Sequence, residues 1–190
     1  MNKDKLLAMF VSDDDLRTAM LKPFIYRGDT YATDGHSLIR FLGVDERYGE
    51  NELMVSTVFP EHVAPVEITT ASLREKVFAV PQIQEMIKCP DCNGDGEKKC
   101  DNCGFTNDCE TCNGDGEVIG KKGKMILDDS ASIVLDGVHF YLRIFKKLVA
   151  VADEMNVKSV LRMSDANALR ANEFLVGDVT VLLMPHRVED

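Results

Sequence analysis

The six cysteines of this chain lie close together in the sequence and form three Cys-x-x-Cys pairs. The pairs are Cys89 and Cys92, Cys100 and Cys103, and Cys109 and Cys112. Two residues between thiolates allow a tight turn to direct both sulfurs at one metal ion, and two such pairs complete the tetrahedral shell that zinc prefers. Scattered core cysteines or a disulfide-bonded domain would not cluster in this way, so we predict bound Zn²⁺ at these residues.

The first and third pairs are each followed by the same four residues, Asn-Gly-Asp-Gly, at 93–96 and 113–116. Glycine supplies the positive φ angles that a metal-binding knuckle needs. The repeat resembles the CxxCxGxG repeat of the DnaJ-type chaperone zinc finger, of which one of the four repeats is missing here. The resemblance implies a structural role for the metal and one complete zinc site, formed by Cys89, Cys92, Cys109 and Cys112.

The central pair, Cys100 and Cys103, is two ligands short of a complete site in this arrangement. Three alternatives are open: the pair recruits Asp101 or Asp108, forms a disulfide, or competes for the same single zinc ion. A redox role is disfavoured because no thioredoxin-like strand and helix surround the pairs. We expect one zinc ion.

Composition limits the class of protein. The chain has 190 residues, with 22 Lys and Arg against 32 Asp and Glu, a formal charge of -10. This charge disfavours attraction to nucleic acid over the whole surface. The apolar start of the chain is too short for a signal peptide, and no apolar run reaches the length of a membrane span, so we expect a cytoplasmic protein.

The N-terminal part predicts helices followed by a hairpin. A helix is predicted at Lys3–Phe10 and a second after Ser12, where Asp15 completes a capping-box spacing. The residues of the second helix that would face a core are Leu16, Met20 and Leu21. Two apolar runs split by Gly28-Asp29 then predict a hairpin. Residues 43–65 are expected to form a surface loop, followed by a strand and a short helix before Pro81.

The C-terminal part predicts a strand, a helix and further strands. The string IVLDGVHF, residues 133–140, predicts one strand, and Val157–Met163 another. A hairpin is predicted to turn at Gly177-Asp178. Helical spacing of apolar residues is strongest at Tyr141, Leu142, Ile144, Phe145, Leu148, Val149, Ala152 and Met155. We therefore predict an α+β fold with antiparallel sheet, made of residues 1–87 and 121–190, with an inserted cysteine-rich module at 88–120.

Four strings outside the cysteine cluster share a second resemblance. They are ATDGHSL (32–38), FAVPQIQEMI (78–87), YLRIFKKL (141–148) and LLMPHRV (182–188). In this order they resemble segments of the bacterial sliding clamp, the DNA polymerase III beta subunit. Ser37 and His186 depart from the family pattern, which has arginine and methionine there. The resemblance implies two halves, each a helix with antiparallel sheet.

In that family these strings form a hydrophobic cleft for short linear peptides of partner proteins. By motif position the cleft would be lined by Thr33, Gly35, His36, Leu38, Pro81, Leu182, Met184 and Arg187. Two apolar anchors, a flexible methionine and a few backbone donors suit an aliphatic and aromatic peptide.

The function that we expect is therefore a non-catalytic binding protein of DNA replication or repair. Its partners would be proteins with a clamp-binding motif and DNA, with several copies required for any ring. The alternative is a chaperone-related zinc-finger adaptor that binds extended polypeptide, although the chain lacks the HPD-bearing domain of a J-protein. An enzyme is least favoured because the four histidines are dispersed and no nucleophile or open metal site is evident.

Overall fold

The computed structural model describes residues 2–14, 16–51, 58–99, 104–120 and 124–187. The chain divides into two compact units: the first contains Met1–Val80 and Asp129–Asp190, and the second contains Pro81–Asp128. The cysteine-rich segment 88–120 lies within the second unit. None of the described helices is long and apolar enough to cross a membrane.

A seven-stranded antiparallel sheet organises the first unit. Numbered along the whole chain, its strands are β1 (Phe24–Tyr26), β2 (Asp29–Thr33), β3 (Ser37–Phe41), β4 (Val66–Thr69), β13 (Ser159–Arg162), β14 (Asn172–Val176) and β15 (Val179–Leu183). Their order in the sheet is β1-β2-β3-β15-β14-β13-β4. Because β3 pairs with β15, residues from both ends of the chain meet at the centre of the sheet.

Over its described residues the first unit also has three α-helices: α1 (Lys3–Phe10), α2 (Thr70–Phe78) and α3 (Leu142–Glu154). α3 packs against α1, α2 and β15, and its apolar stripe is buried. The Asn2 side chain accepts a hydrogen bond from the Lys5 N–H and caps α1. The largest fully buried side chains are Phe10, Phe140, Phe145, Phe174, Leu6, Leu7, Ile39 and Leu73.

A separate hairpin precedes α3. β11 (Ser132–Leu135) pairs with β12 (Val138–Tyr141), so the single strand predicted for 133–140 is wrong. The Asp136-Gly137 dipeptide between the strands has φ values of 50° and 79°, which suit a tight two-residue hairpin turn. The turn chemistry of this dipeptide overrides the continuous apolar pattern around it.

The described residues of the second unit form three two-stranded ribbons. They pair β5 (Gln82–Gln84) with β10 (Met125–Leu127), β6 (Met86–Lys88) with β9 (Glu117–Ile119), and β7 (Glu97–Lys99) with β8 (Thr106–Asp108). The described residues of this unit bury the side chains of four cysteines and no large aliphatic or aromatic side chain. Unlike the first unit, it therefore has no ordinary hydrophobic core.

The helix predicted after Ser12 is wrong over its described residues, since only a short 3₁₀ helix, Thr18–Met20, forms there. Instead, the Ser12 hydroxyl accepts from the Asp14 N–H, and the Asp14 carboxylate accepts from the Leu16 N–H. These local side-chain bonds compete with the helix. Leu16 is 92% exposed rather than core-facing, and Met20 and Leu21 are half-buried. The predicted cap residue Asp15 lies outside the described residues.

The α+β fold class with antiparallel sheet is confirmed. The helix at Lys3–Phe10 has the predicted bounds, and α3 begins one residue after Tyr141. The hairpin of β1 and β2 turns at Arg27-Gly28, one residue before the predicted dipeptide. The segment 78–87 completes α2 and then forms β5 and part of β6.

Candidate functional site

The four cysteines of the first and third pairs converge at a single point in the second unit. The Sγ atoms of Cys89, Cys92, Cys109 and Cys112 all lie within 4.8 Å of one another, and all four residues are buried. The Sγ–Sγ distance is 3.8 Å between Cys89 and Cys109 and 3.7 Å between Cys92 and Cys112. A tetrahedron with the usual zinc–sulfur bond has an edge of about 3.8 Å. The spacing of the sulfurs therefore suits a tetrahedrally coordinated ion of that size.

Two similar loops build this centre around an approximate two-fold relation. The Cys89 N–H donates to the Gly116 carbonyl, and the Cys109 N–H donates to the Gly96 carbonyl, each at 2.7 Å. A Cβ atom on Gly96 would overlap the carbonyl oxygen of Gly114. Glycine is therefore required here both for its positive φ of 76° and for the close approach of the two loops.

The surroundings of the thiols act on their ionisation in opposite directions. Burial opposes ionisation of Cys109, but backbone N–H groups of Thr111 and Cys112 donate to it and lower its pKa to about 7. For Cys112 the effect of burial prevails and raises the pKa to about 11, although the Gly116 N–H donates to its sulfur at 3.2 Å. Four neighbouring thiolates repel one another, so a cation among them is needed to hold all four ionised.

The other two predicted metal ligands, Cys100 and Cys103, lie outside the described residues. Their role stays a prediction.

An apolar cavity of about 190 Å³ opens on the sheet of the first unit. It is lined by Met20, Thr33, Gly35, His36, Ser37, Leu38, Val58, Ala171, Leu182 and Met184. We call this cavity the cleft. It brings together six of the eight residues predicted to line a binding site. Arg187 is not one of its lining residues, and Pro81 belongs to the second unit.

Strand register explains how distant residues form the cleft. Leu38 of β3 lies opposite both Thr33 of β2 and Leu182 of β15. Residues opposite each other in an antiparallel sheet project to the same face, so these side chains form one row. Leu38 and Leu182 also belong to one cluster of buried side chains, together with Phe24, Tyr31 and Ala171.

The turn from β2 to β3 is held by Asp34. Its Oδ1 accepts hydrogen bonds from the N–H groups of His36 and Ser37, and its Oδ2 accepts from Lys147 Nζ at 2.7 Å. Burial alone would raise the pKa of Asp34, but the hydrogen bond and charge of Lys147, together with the two N–H groups, lower it. Gly35 completes the turn with a φ of 86°. The turn thus positions His36 at the edge of the cleft.

The segment that follows β15 is anchored beside this turn. The Met184 N–H donates to the His36 carbonyl at 2.9 Å. His186 stacks on Tyr141 with ring centroids 4.0 Å apart, and its Nε2 lies 3.1 Å from the Ser132 hydroxyl. These contacts fix the segment that carries Met184 against the mouth of the cleft.

No protein-family model matches the chain, and no curated protein sequence matches it. The solved structures that are similar in fold include the following two. One is Caulobacter crescentus pol III beta, with a TM-score of 0.52 and 13% identity, covering 98% of this chain and 65% of that chain. The other is a DnaN sliding clamp (DNA polymerase III subunit beta) from Bartonella birtlesii bound to griselimycin, with a TM-score of 0.53 and 14% identity, covering 98% and 64%. The fold resembles that of sliding-clamp domains.

The chain spans about two-thirds of the length of these clamps. The clamp resemblance drawn from short strings is thus confirmed at the level of fold, which is all that identity this low shows. The likeness to a DnaJ-type finger is not supported by any of these comparisons and stays a prediction.

Four residues of the cleft were missed from the sequence. Met20 reaches the cleft from the short 3₁₀ helix and Val58 from an irregular segment, and Ala171 lies just before β14. Ser37 was identified only as a departure from the clamp motif, yet it is one of the lining residues. The clamp-like string that contains Ser37 could have signalled it, whereas Met20, Val58 and Ala171 lie outside the four clamp-like strings.

Proposed function

We propose that this chain is a non-catalytic, sliding-clamp-like binding protein of DNA replication or repair, whose cleft receives a short linear peptide of a partner protein. The observation that carries the proposal is the convergence of the ATDGHSL and LLMPHRV strings on one apolar cavity in a clamp-like fold. A concave, mostly apolar site with a few polar groups at its rim is typical of ligand binding.

The residues that line the cleft indicate which peptide side chains would bind there. Leu38, Leu182 and Met184 offer apolar contact, and Met184 is only partly buried, so its flexible side chain can adapt to an incoming residue. Aliphatic and aromatic side chains of a peptide would therefore supply most of the binding free energy.

Fluorescence anisotropy with a labelled clamp-binding pentapeptide tests the proposal. Met184→Asp places a carboxylate in the apolar wall, and we expect it to weaken binding by at least about tenfold. Met125→Asp is the matched control, since Met125 is 48% exposed in the second unit, and it should leave binding unchanged. If the native chain and Met184→Asp bind the pentapeptide equally well, or if neither binds it, the proposal is excluded.

We also propose that the second unit binds one structural Zn²⁺ through Cys89, Cys92, Cys109 and Cys112. The sulfur spacing and the lack of another core in the described part of this unit support it. We expect metal analysis to find one zinc ion per native chain and per Cys100→Ser/Cys103→Ser chain, and none per Cys89→Ser/Cys112→Ser chain. Loss of the zinc in the first variant would assign it to the central pair instead.

Contact with DNA is part of the same proposal. At the start of α3, Arg143 is exposed and Lys146 is half-buried, and Lys146 is paired with Asp129 at 2.6 Å. Retention of the chain on double-stranded DNA should fall as salt rises, because phosphate contacts release counterions. Retention that does not change with salt, or no retention even at low salt, would exclude DNA as a partner.

A second candidate function is a zinc-finger adaptor that binds extended polypeptide. It is favoured by exposed apolar side chains on the β6–β9 ribbon, where Met86 lies opposite Ile119 and the two are 47% and 55% exposed. An adaptor would bind a reduced, unfolded polypeptide less well after Met86→Asp/Ile119→Asp. No effect of this change would exclude it.

A further inference from the structure

A short segment of the chain itself lies across the sheet face beside the cleft. We call this segment, Val58–Val63, the strap. Val58 lines the cleft, and Phe59 packs against the same apolar cluster that forms its floor. The Arg40 guanidinium lies 4.9 Å from the centre of the Phe59 ring, a cation–π contact. The chain thus supplies an aromatic side chain to its own apolar surface.

The strap also contacts a buried carboxylate. Glu173 of β14 lies opposite Leu182 in the sheet, so its side chain shares the face of the cleft. This side chain is 3% exposed, and His62 Nε2 lies 2.9 Å from its Oε2. Among the described residues no lysine or arginine forms an ion pair with Glu173. Burial removes the hydration of a carboxylate, so a buried carboxylate needs a hydrogen-bonding or cationic partner, and His62 supplies one to Glu173.

Within the part of the chain that the structure describes, few contacts hold the strap. Besides Phe59 and His62, the Val63 N–H donates to the Met163 carbonyl at 2.9 Å. Residues 61–63 are exposed. A segment with so few buried contacts opens at low free-energy cost.

A second cavity follows the strap away from the cleft. It has a volume of about 550 Å³ and shares Val58, Ala171 and Met184 with the cleft. An extended peptide that leaves the cleft therefore meets the strap next. Because Phe59 and His62 belong to one short segment, a peptide that displaces the strap would remove both together.

We propose that the strap is an internal ligand, and that the partner peptide replaces it with a large apolar residue at the place of Phe59 and, three positions later, a cation at the place of His62. This proposal deepens the peptide-binding function above and rests on it. A peptide that removes His62 without supplying a donor leaves Glu173 buried and unpaired, which disfavours binding. The strap therefore selects for an apolar-plus-basic peptide.

Two labelled peptides test this selection by fluorescence anisotropy. One is Val-Phe-Pro-Glu-Lys-Val, which copies the strap with lysine in place of histidine, and the other has alanine at the lysine position. With the strap weakened by Phe59→Ala/His62→Ala, we expect the lysine peptide to bind about tenfold more tightly than to the native chain. We expect it to bind this variant about tenfold more tightly than the alanine peptide does.

Glu173→Gln added to the weakened strap should abolish the preference for lysine, since the carboxylate that recognises the cation is gone. Circular dichroism establishes that this variant is folded. Equal binding of the two peptides before Glu173 is changed, or no gain from weakening the strap, would overturn the proposal.

Hydrogen exchange at the Val63 amide tests the anchoring without any peptide. Exchange should be faster in His62→Ala than in the native chain, whereas His62→Lys, which keeps a donor for Glu173, should restore slow exchange. Equal exchange in all three chains would overturn the role of His62. If the pentapeptide binds the cleft but the lysine preference is absent, only the strap proposal fails; if no peptide binds, the proposed function fails with it.

Discussion

Among single residues, Asp34 has the most specific role in holding the cleft, and its role depends on charge. The pKa of Asp34 is lowered in the folded chain, so its ion pair with Lys147 stabilises the fold above the pKa of the unfolded residue, about 3.9. Asp34→Asn keeps the Oδ1 acceptor but removes the charge, and should lower the free energy of unfolding at pH 7 by about 1–2 kcal/mol. As the pH falls below about 3.9 the unfolded residue is protonated first, so the difference should shrink, and it should vanish once the pH is below the lowered pKa of the folded chain.

Urea unfolding of both chains at a series of pH values measures this difference. Asp14→Asn is the matched control, because the ion pair of Asp14 with Arg17 is about half exposed and contributes little. A penalty for Asp34→Asn that is as large at about pH 2 as at pH 7 would mean that the charge is not what matters.

At the residue scale, sequence analysis worked where a motif was present. Thr33, Gly35, His36, Leu38, Leu182 and Met184 were all selected by two strings, and the cleft contains them all. Pro81 was selected from the string 78–87, whose later residues form β5 and part of β6 in the second unit, and its place in the cleft stays a prediction. That such a cleft binds a peptide stays a prediction.

At the scale of elements, the two cysteine loops depend on glycines that differ in what surrounds them. Gly96 and Gly94 both have positive φ, but a Cβ on Gly96 would overlap backbone of the other loop, whereas one on Gly94 would meet only the flexible Lys88 side chain. Gly96→Ala should therefore weaken metal binding by at least about 100-fold, and Gly94→Ala by about tenfold or less.

Competition of Co²⁺-loaded chains with a metal chelator compares the two variants, because tetrahedral thiolate coordination gives Co²⁺ a characteristic absorption. Similar affinities of Gly96→Ala and Gly94→Ala would show that positive φ alone, and not the close approach of the loops, sets the requirement for glycine.

Elements with a strong local signal were predicted, and those decided by competing local signals were not. The apolar periodicity of α3 identified it because six of its residues are buried on one stripe. The helix predicted after Ser12 was wrong because local side-chain hydrogen bonds compete with it. The single strand predicted at 133–140 was wrong because an Asp-Gly turn divides it into a hairpin. In both cases one or two polar residues carried the signal for the structure that forms.

At the scale of the molecule, the class of fold followed from the alternation of elements, but the strand order did not. The pairing of β3 with β15 joins residues such as Ile39 and Val181 across most of the chain. No local pattern specifies such a partner, since any half-buried antiparallel strand presents the same apolar alternation. Only the resemblance to clamps indicated that the two ends would meet.

The two units differ in what stabilises them, and this leads to a prediction for the whole molecule. The first unit buries large side chains such as Phe10, Phe145 and Phe174, whereas the described residues of the second bury mainly the four cysteines. Removing the metal with a chelator should therefore unfold the second unit, because without the ion its thiolates repel and no apolar core remains. The first unit should keep its unfolding temperature to within about 2 °C, because its own core is untouched.

Hydrogen exchange resolved by segment, together with a thermal scan, measures both effects in one sample. Amides of the β6–β9 ribbon should lose protection after chelation, while those of β3 and β15 should keep it. The Cys89→Ser/Cys112→Ser chain is the control, since it should show the unprotected ribbon from the start and no response to chelator. Protection of the ribbon that survives chelation would show that the second unit folds without metal, and loss of protection in β3 would show that the first unit depends on it.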